Sequence, residues 1–98
     1  MNYEVVIKAA AELDVTEIVS WYESKKQGLG LRFLEAIDVK IKLLEQNPHI
    51  YRVRYKEIRF VLVRRFPYCI HFTLENQKVY IHAVLSTYRN PKLWTERS

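Results

Sequence analysis

The side chains that could do chemistry in this chain of 98 residues are concentrated in its second half. Six lysines and arginines fall within residues 52–65, where Glu57 is the only acid, and the formal net charge is +5. Edge strands often carry such cations to prevent unwanted pairing, but six exceed that need. The segment therefore predicts a surface for an acidic partner, either nucleic acid or an acidic protein.

Two histidines extend the possible chemistry. Period-two alternation predicts strands at 68–74 and 79–85, with Cys69, His71 and Thr73 on the outward face of one and Tyr80 and His82 on that of the other. An imidazole with its ordinary pKa of about 6.5 is a usable base at cell pH. The commoner alternative is a pair of solvated surface histidines.

Metal and cofactor chemistry is not expected. Cys69, His71 and His82 offer at most three ligands and lack the spacing of a zinc motif. Cys69 itself is more typical of a small, partly buried hydrophobe than of a nucleophile. A single cysteine excludes an internal disulfide and suits a reducing cytosol, and no apolar run approaches the ~20 residues of a membrane span. These features predict a cytoplasmic protein.

The elements that must position these side chains form one domain, residues 1–98, of the α+β class. The pattern predicts a first strand at 3–8, helices at 9–26 and 29–46, and strands at 58–63, 68–74 and 79–85. The second helix is predicted to carry one apolar stripe, formed by Leu34, Ile37, Ile41 and Leu44 and widened by Phe33, and to end at Asn47-Pro48. The order is β-α-α-β-β-β, a helical hairpin packed on one face of a mainly antiparallel sheet. The first strand is expected at an edge or beside the last strand. The inward face of the last two strands is predicted from alternation to comprise Tyr68, Ile70, Phe72, Leu74, Val79, Ile81, Ala83 and Leu85.

Several short segments, taken in order, resemble the RelE/ParE superfamily of bacterial toxins from type II toxin–antitoxin systems, which include plasmid stabilisation proteins. The likeness is densest in residues 57–59, in Arg64-Arg65-Phe66-Pro67-Tyr68-Cys69-Ile70, and in Ala83-Val84-Leu85 followed by Tyr88-Arg89-Asn90-Pro91 and Trp94. Residues 11–22 and 28–33 of the helices and Asn47-Pro48 add to it, so it covers nearly the whole chain.

The resemblance implies a cytosolic toxin held by an antitoxin with an acidic, amphipathic segment. RelE-like members are metal-independent ribonucleases that cleave messenger RNA, usually in the ribosome. ParE-like members poison DNA gyrase and are not nucleases. For a ribonuclease, the family positions would assign Arg59 and Arg89 to catalysis, with His82 as the available base. Arg59 is expected on the outward face of the sheet, together with Cys69, His71 and His82. Residues expected to contact the target or the antitoxin are Arg52, Arg54, Arg64, Arg65, His71, Tyr88 and Trp94.

The departures from the ribonuclease pattern favour a ParE-like toxin. Cys69 stands where ribonuclease members carry arginine, and Val61 and Val63 stand where several carry lysine. Trp94 and Thr95 occupy the region in which a catalytic tyrosine would be sought. A ribosome-dependent ribonuclease, or a basic module that binds RNA or protein without being toxic, remain the alternatives.

Overall fold

Two helices cover one face of a five-stranded sheet in the computed structural model, which describes residues 2–88. The helices are α1 (Ala9–Lys25) and α2 (Leu29–Gln46), and a short 3-10 turn follows at Pro48–Ile50. The strands are β1 (Glu4–Ile7), β2 (Val53–Tyr55), β3 (Ile58–Leu62), β4 (Tyr68–Glu75) and β5 (Lys78–Ser86). No helix among residues 2–88 is long and apolar enough to cross a membrane.

The sheet order is β1-β5-β4-β3-β2. β1 lies at an edge and pairs with β5 in parallel, and the remaining pairs are antiparallel. The predicted α+β class, the helical hairpin and the place of the first strand are confirmed. β2 was not predicted, because three residues within a run of cations carry no alternation, and the turn after it contains Lys56 with a positive φ of 49°.

The turn between the helices depends on two glycines. Gly28 adopts a φ of 87°, which a residue with a Cβ rarely takes. The backbone N–H groups of Gly28 and Gly30 each donate a hydrogen bond of 2.9 Å to the carboxylate of Glu23. These two amides belong to the start of α2, where helical N–H groups lack intrahelical partners, so Glu23 of α1 caps the next helix.

The core lies between the helices and the sheet. Phe33 is fully buried and meets the rings of Tyr22, Phe66 and Tyr68 at centroid distances of 5.1–5.6 Å. Phe66 and Tyr68 meet it edge to face, which combines a large buried apolar area with favourable ring geometry. The buried residues of this core are Ala11, Ile18, Phe33, Ile37, Leu44, Val61, Val63, Ile70, Phe72, Val79, Ile81 and Val84.

A bulge in β5 changes which side chains face the helices. His71 of β4 lies opposite Ala83, whereas the next residue, Phe72, lies opposite Ile81, so His82 is the extra residue. The prediction that Ala83 and Leu85 face the helices was therefore wrong. Beyond the bulge Val84 takes the inward place, and Ala83 and Leu85 join the side of the sheet away from the helices, here called the second face.

The second face is not an open surface over its centre. Ile58, Cys69, Ala83 and Leu85 are each less than 5% exposed, and His71 is 1% exposed. Cys69 is thus buried, as predicted, whereas His71 is not the solvated surface residue considered from sequence. The second face carries a small apolar cluster of its own.

Candidate functional site

The cations of residues 52–65 do not form one surface. Arg64 and Arg65 lie exposed in the turn between β3 and β4, on the side of α2. Arg54 lies over the ring of Phe60, at 6.0 Å from the ring centroid, on the second face. Arg52 is exposed just before β2. A run of cations that is continuous in sequence is therefore divided between the two sides of the sheet.

Arg59 lies on the helix side, which corrects its expected place among the outward residues. It pairs with Phe72, a core residue, so its side chain leaves the sheet toward the helices. Its guanidinium donates a hydrogen bond of 2.5 Å to the backbone carbonyl of Tyr51. This contact ties the segment after α2 to β3 and gives Arg59 a structural task.

His71 lies in an aromatic group on the second face. Its ring packs against Phe60 at 4.3 Å between centroids, and its Nδ1 atom is 3.5 Å from the hydroxyl of Tyr55. Because the imidazole is 1% exposed, a substrate cannot reach it directly. His71 therefore acts as part of the packing of this face.

His82 has a different neighbourhood. Its Nε2 atom lies 2.8 Å from the hydroxyl oxygen of Thr73 on β4. Partial burial, followed by the nearby charge of Lys8, lowers the pKa of His82 below its ordinary value of 6.5, and Glu75 opposes this weakly. The imidazole is accordingly neutral at cell pH and could accept a proton.

The two histidines and Arg59 do not converge. His71 and His82 share the second face, as expected, but contact different partners, and Arg59 lies on the helix side. Arg89 and Trp94 lie outside the described residues, and Tyr88, the last described residue, is 86% exposed. Within residues 2–88 no three histidine, cysteine or acidic side chains are placed to hold a metal ion.

Arg64 and Arg65 line a groove of about 760 Å³ between their turn and α2, here called the α2 groove. Its floor includes Val39 and Leu43 of α2, and Phe66 of the turn contributes to its wall. Sequence reasoning missed this groove, because α2 was treated as having one apolar stripe and Val39 and Leu43 lay off it. A second stripe of apolar residues along α2 was the signal that could have found it.

Residues 5–91 match the family described as "ParE toxin of type II toxin-antitoxin system, parDE". The chain belongs to the ParE toxin family. The matched range includes both helices and all five strands except the first residue of β1, so the suspected superfamily membership is confirmed.

A solved structure shows the same fold. A chain of the "Chromosomal ParDE TA system from P. aeruginosa" superimposes with a TM-score of 0.77 at 17% sequence identity. The alignment covers 86% of the ParE-family chain and 95% of that chain. A comparison with curated proteins gives no significant match.

Proposed function

We propose that this ParE-family chain arrests growth by binding DNA gyrase rather than by cutting RNA, and that a cognate antitoxin neutralises it. The family match supports a toxin of a type II toxin–antitoxin system. Gyrase is the target that the family resemblance implies. We propose accordingly that the chain acts in the cytoplasm. The proposal requires no metal and no cofactor.

The separation of His82 from the arginines argues against RNA cleavage. Cutting RNA through its 2′-hydroxyl needs a proton acceptor and cations that stabilise the pentavalent phosphorane in one site. His82 is the available base, but Arg59 lies on the opposite side of the sheet and is engaged with the carbonyl of Tyr51. Arg54 lies over the ring of Phe60, and Lys8, the cation whose charge lowers the pKa of His82, lies over the ring of Tyr80.

Regulated expression tests the toxin role. The chain is expressed alone and together with the open reading frame next to its gene, and growth is followed after induction. We expect arrest with the chain alone and rescue with the neighbouring frame. Normal growth with the chain alone, together with RNA binding that falls steeply with salt, would favour the non-toxic basic module instead.

Two assays in parallel identify the target. Purified chain is added to gyrase to follow supercoiling, and messenger RNA from arrested cells is mapped for new ends. We expect inhibition of supercoiling without codon-dependent cleavage. His82→Ala should inhibit supercoiling as the parent does, and His49→Ala provides a control at an exposed histidine whose ring contacts Tyr3.

The ribonuclease alternative retains one specific observation. The neutral imidazole of His82 beside Thr73 has the protonation state that a general base needs. Cleavage at codons by the parent, abolished in His82→Ala but not in His49→Ala, would establish that alternative and overturn the gyrase proposal.

A further inference from the structure

The two edges of the sheet differ in how they are protected against pairing with another chain. At the β2 edge, Arg52, Arg54 and Lys56 lie in and around a strand of three residues, and its register with β3 is irregular. Cations and irregular register are devices with which natural sheets prevent strand addition. At the β1 edge, residues 5–7 are all apolar and pair with β5 in regular register. The β1 edge is therefore the one that favours an added strand.

The backbone of β1 offers hydrogen-bonding groups on its outer side. The N–H groups of Glu4 and Lys8 each donate a 3.0 Å hydrogen bond to a carbonyl of β5 or of the residue before it. Because successive residues of a strand direct these groups to opposite sides, the N–H and C=O groups of Val5 and Ile7 point away from β5. β1 ends the sheet, so no strand among residues 2–88 lies on that side. These outer groups form a short template for one more strand.

The side chains of this edge are complementary to a second copy of the same edge that runs antiparallel. When the two copies of Val6 lie opposite each other, Glu4 of each copy faces Lys8 of the other. Val5 of each copy then faces Ile7 of the other, and these are the residues whose backbone groups point outward, as a hydrogen-bonded antiparallel pair requires. Both charged side chains are exposed, and opposite charges at facing positions stabilise antiparallel pairs. A shift by two residues in either direction would place Val6 opposite a charge instead.

Apolar side chains next to the edge would also be covered by a second copy. Ile7 is 37% exposed and Leu34 of α2 is 41% exposed, and both line one hollow on the helix side of β1. Of the two acids in this hollow, Glu12 and Asp38, the second is paired with Lys42 at 3.3 Å. An antiparallel copy brings its own Ile7 and Leu34 to this side, so the contact adds apolar burial to the backbone hydrogen bonds.

We propose that two copies of this chain pair through their β1 edges, antiparallel and centred on Val6, so that one sheet continues through ten strands, five from each copy. The backbone of the edge would accept any extended segment, but the order of its side chains matches a second copy. Each copy uses its β1 edge once, and the cations of the β2 edge oppose further growth, so the assembly closes as a dimer. This pairing goes beyond the proposed toxin role and does not depend on it.

Sedimentation equilibrium of the purified chain over a range of concentrations tests the pairing. The parent should approach twice the 11.8 kDa mass of one chain as its concentration rises. Ile7→Pro removes an outward N–H but no donor to β5, so the fold should be retained while self-association weakens about tenfold or more. Ile7→Val is the matched control, because it keeps the N–H and a β-branched side chain, and it should associate within about threefold of the parent. Thermal melts of both variants establish that the fold is retained.

Charge exchange tests the register and applies even if Ile7→Pro unfolds. Glu4→Lys and Lys8→Glu each place like charges at facing positions at both ends of the contact, so each variant alone should self-associate about tenfold more weakly than the parent. A mixture of the two variants restores opposite charges at every facing position, and it should form mixed dimers about as readily as the parent forms its own. Lys26→Glu, at an exposed cation beyond α1, has the same change in net charge as Lys8→Glu and should behave as the parent.

The possible results decide between this contact and others. A parent that remains a monomer at the highest concentration overturns the inference, and so does a dimer that Ile7→Pro and both charge variants leave unchanged. If the two charge variants associate no better together than apart, the register centred on Val6 is wrong. If the parent is a monomer and Ile7→Pro weakens binding of the protein encoded by the neighbouring reading frame, the edge serves that partner, and the dimer fails while the toxin role stands. Growth without arrest in the expression test would remove the toxin role and leave the dimer.

Discussion

The carboxylate of Asp14 accepts a hydrogen bond of 2.9 Å from the backbone N–H of Val84. This contact joins α1 to β5 just after the bulge at His82. At the bulge the alternation of β5 shifts by one residue, so that Val84 faces the helices. A backbone donor next to a bulge needs a partner, and Asp14 supplies it from another element.

We therefore expect Asp14→Ala to lower the free energy of unfolding by about 1–3 kcal/mol, because it leaves the N–H of Val84 without its acceptor. Urea unfolding at neutral pH measures this change. Glu17→Ala, at an exposed position of the same helix, is the control and should leave the midpoint almost unchanged. Equal midpoints for both variants would show that the carboxylate does not support the bulge.

Gly30 is expected to tolerate no larger side chain. A Cβ at this position would lie 2.9 Å from the carbonyl oxygen of Val19 and 3.0 Å from a carboxylate oxygen of Glu23. Gly30→Ala should therefore push the helices apart and cost about 1–3 kcal/mol. A Cβ at Gly28 would meet no atom within 4 Å. Gly28→Ala should therefore lower the free energy of unfolding by only about 1–2 kcal/mol, because of the positive φ at this position.

Chemical unfolding of the two alanine variants compares these costs. Crowding at Gly30 should also disturb the ring contacts of the neighbouring core, which near-ultraviolet circular dichroism detects. A Gly30→Ala protein with the stability and spectrum of the parent would contradict the close approach of α1 and α2.

Glu23 should make the helical turn sensitive to acid. Hydrogen bonds from the N–H groups of Gly28 and then Gly30 lower its pKa below the usual value of 4.5, with a small opposing effect of desolvation. The ionised form is thus stabilised by folding. This contribution is present above the pKa of the unfolded chain and is lost as pH falls through the lower pKa of the folded chain.

In thermal melts from neutral pH to about pH 3, the parent should have a higher melting temperature than Glu23→Gln, and this difference in melting temperature should narrow as the pH falls. Glu12→Gln serves as a control on the same helix, at an exposed position with no contact to the turn. A constant difference across this range would mean that the two amides do not select the carboxylate form.

His82 should also make the folded state less stable as pH falls, but over an interval that begins near its ordinary pKa of 6.5. Burial and the charge of Lys8 lower its pKa below 6.5, so folding favours the neutral imidazole. The unfolded chain then binds the proton more readily, and stability falls as pH decreases from above 6.5 toward the lower folded pKa. Below that pKa the penalty is complete and constant.

His82→Gln should flatten the pH dependence of the unfolding midpoint across this interval, whereas His49→Gln should not. Direct titration of the His82 ring by NMR gives the folded pKa itself. A folded pKa at or above the ordinary value would refute the account of burial next to Lys8.

The sequence predicted the fold where its periodicity was clear. α2 begins and ends at Leu29 and Gln46, as predicted from its apolar spacing and the Asn47-Pro48 stop. The strands of the meander were placed within a residue of their observed ends. These segments are long enough for local pattern and tertiary packing to agree.

The site could be predicted only in part, because its geometry depends on strand faces that alternation did not define. β3 has apolar residues on both faces, such as Phe60 and Val61. The pattern of apolar residues therefore did not indicate on which face of the sheet Arg59 lies. In β5 the bulge at His82 shifts the alternation by one residue, and a regular strand predicts the wrong side for Leu85. Arg64 and Arg65 were identified by charge alone, but the opposite wall of their groove is formed by α2, which is distant in sequence.

The parallel pairing of β1 with β5 sets an order for folding during synthesis. β1 is the first strand to leave the ribosome, and its only strand partner is the last strand of the described chain. The helical hairpin, whose contacts are local, can form while the later strands are still being made. A nascent chain halted before β5 therefore holds two helices without the strand that joins β1 to the rest of the sheet, and the finished architecture arises only once that strand has emerged.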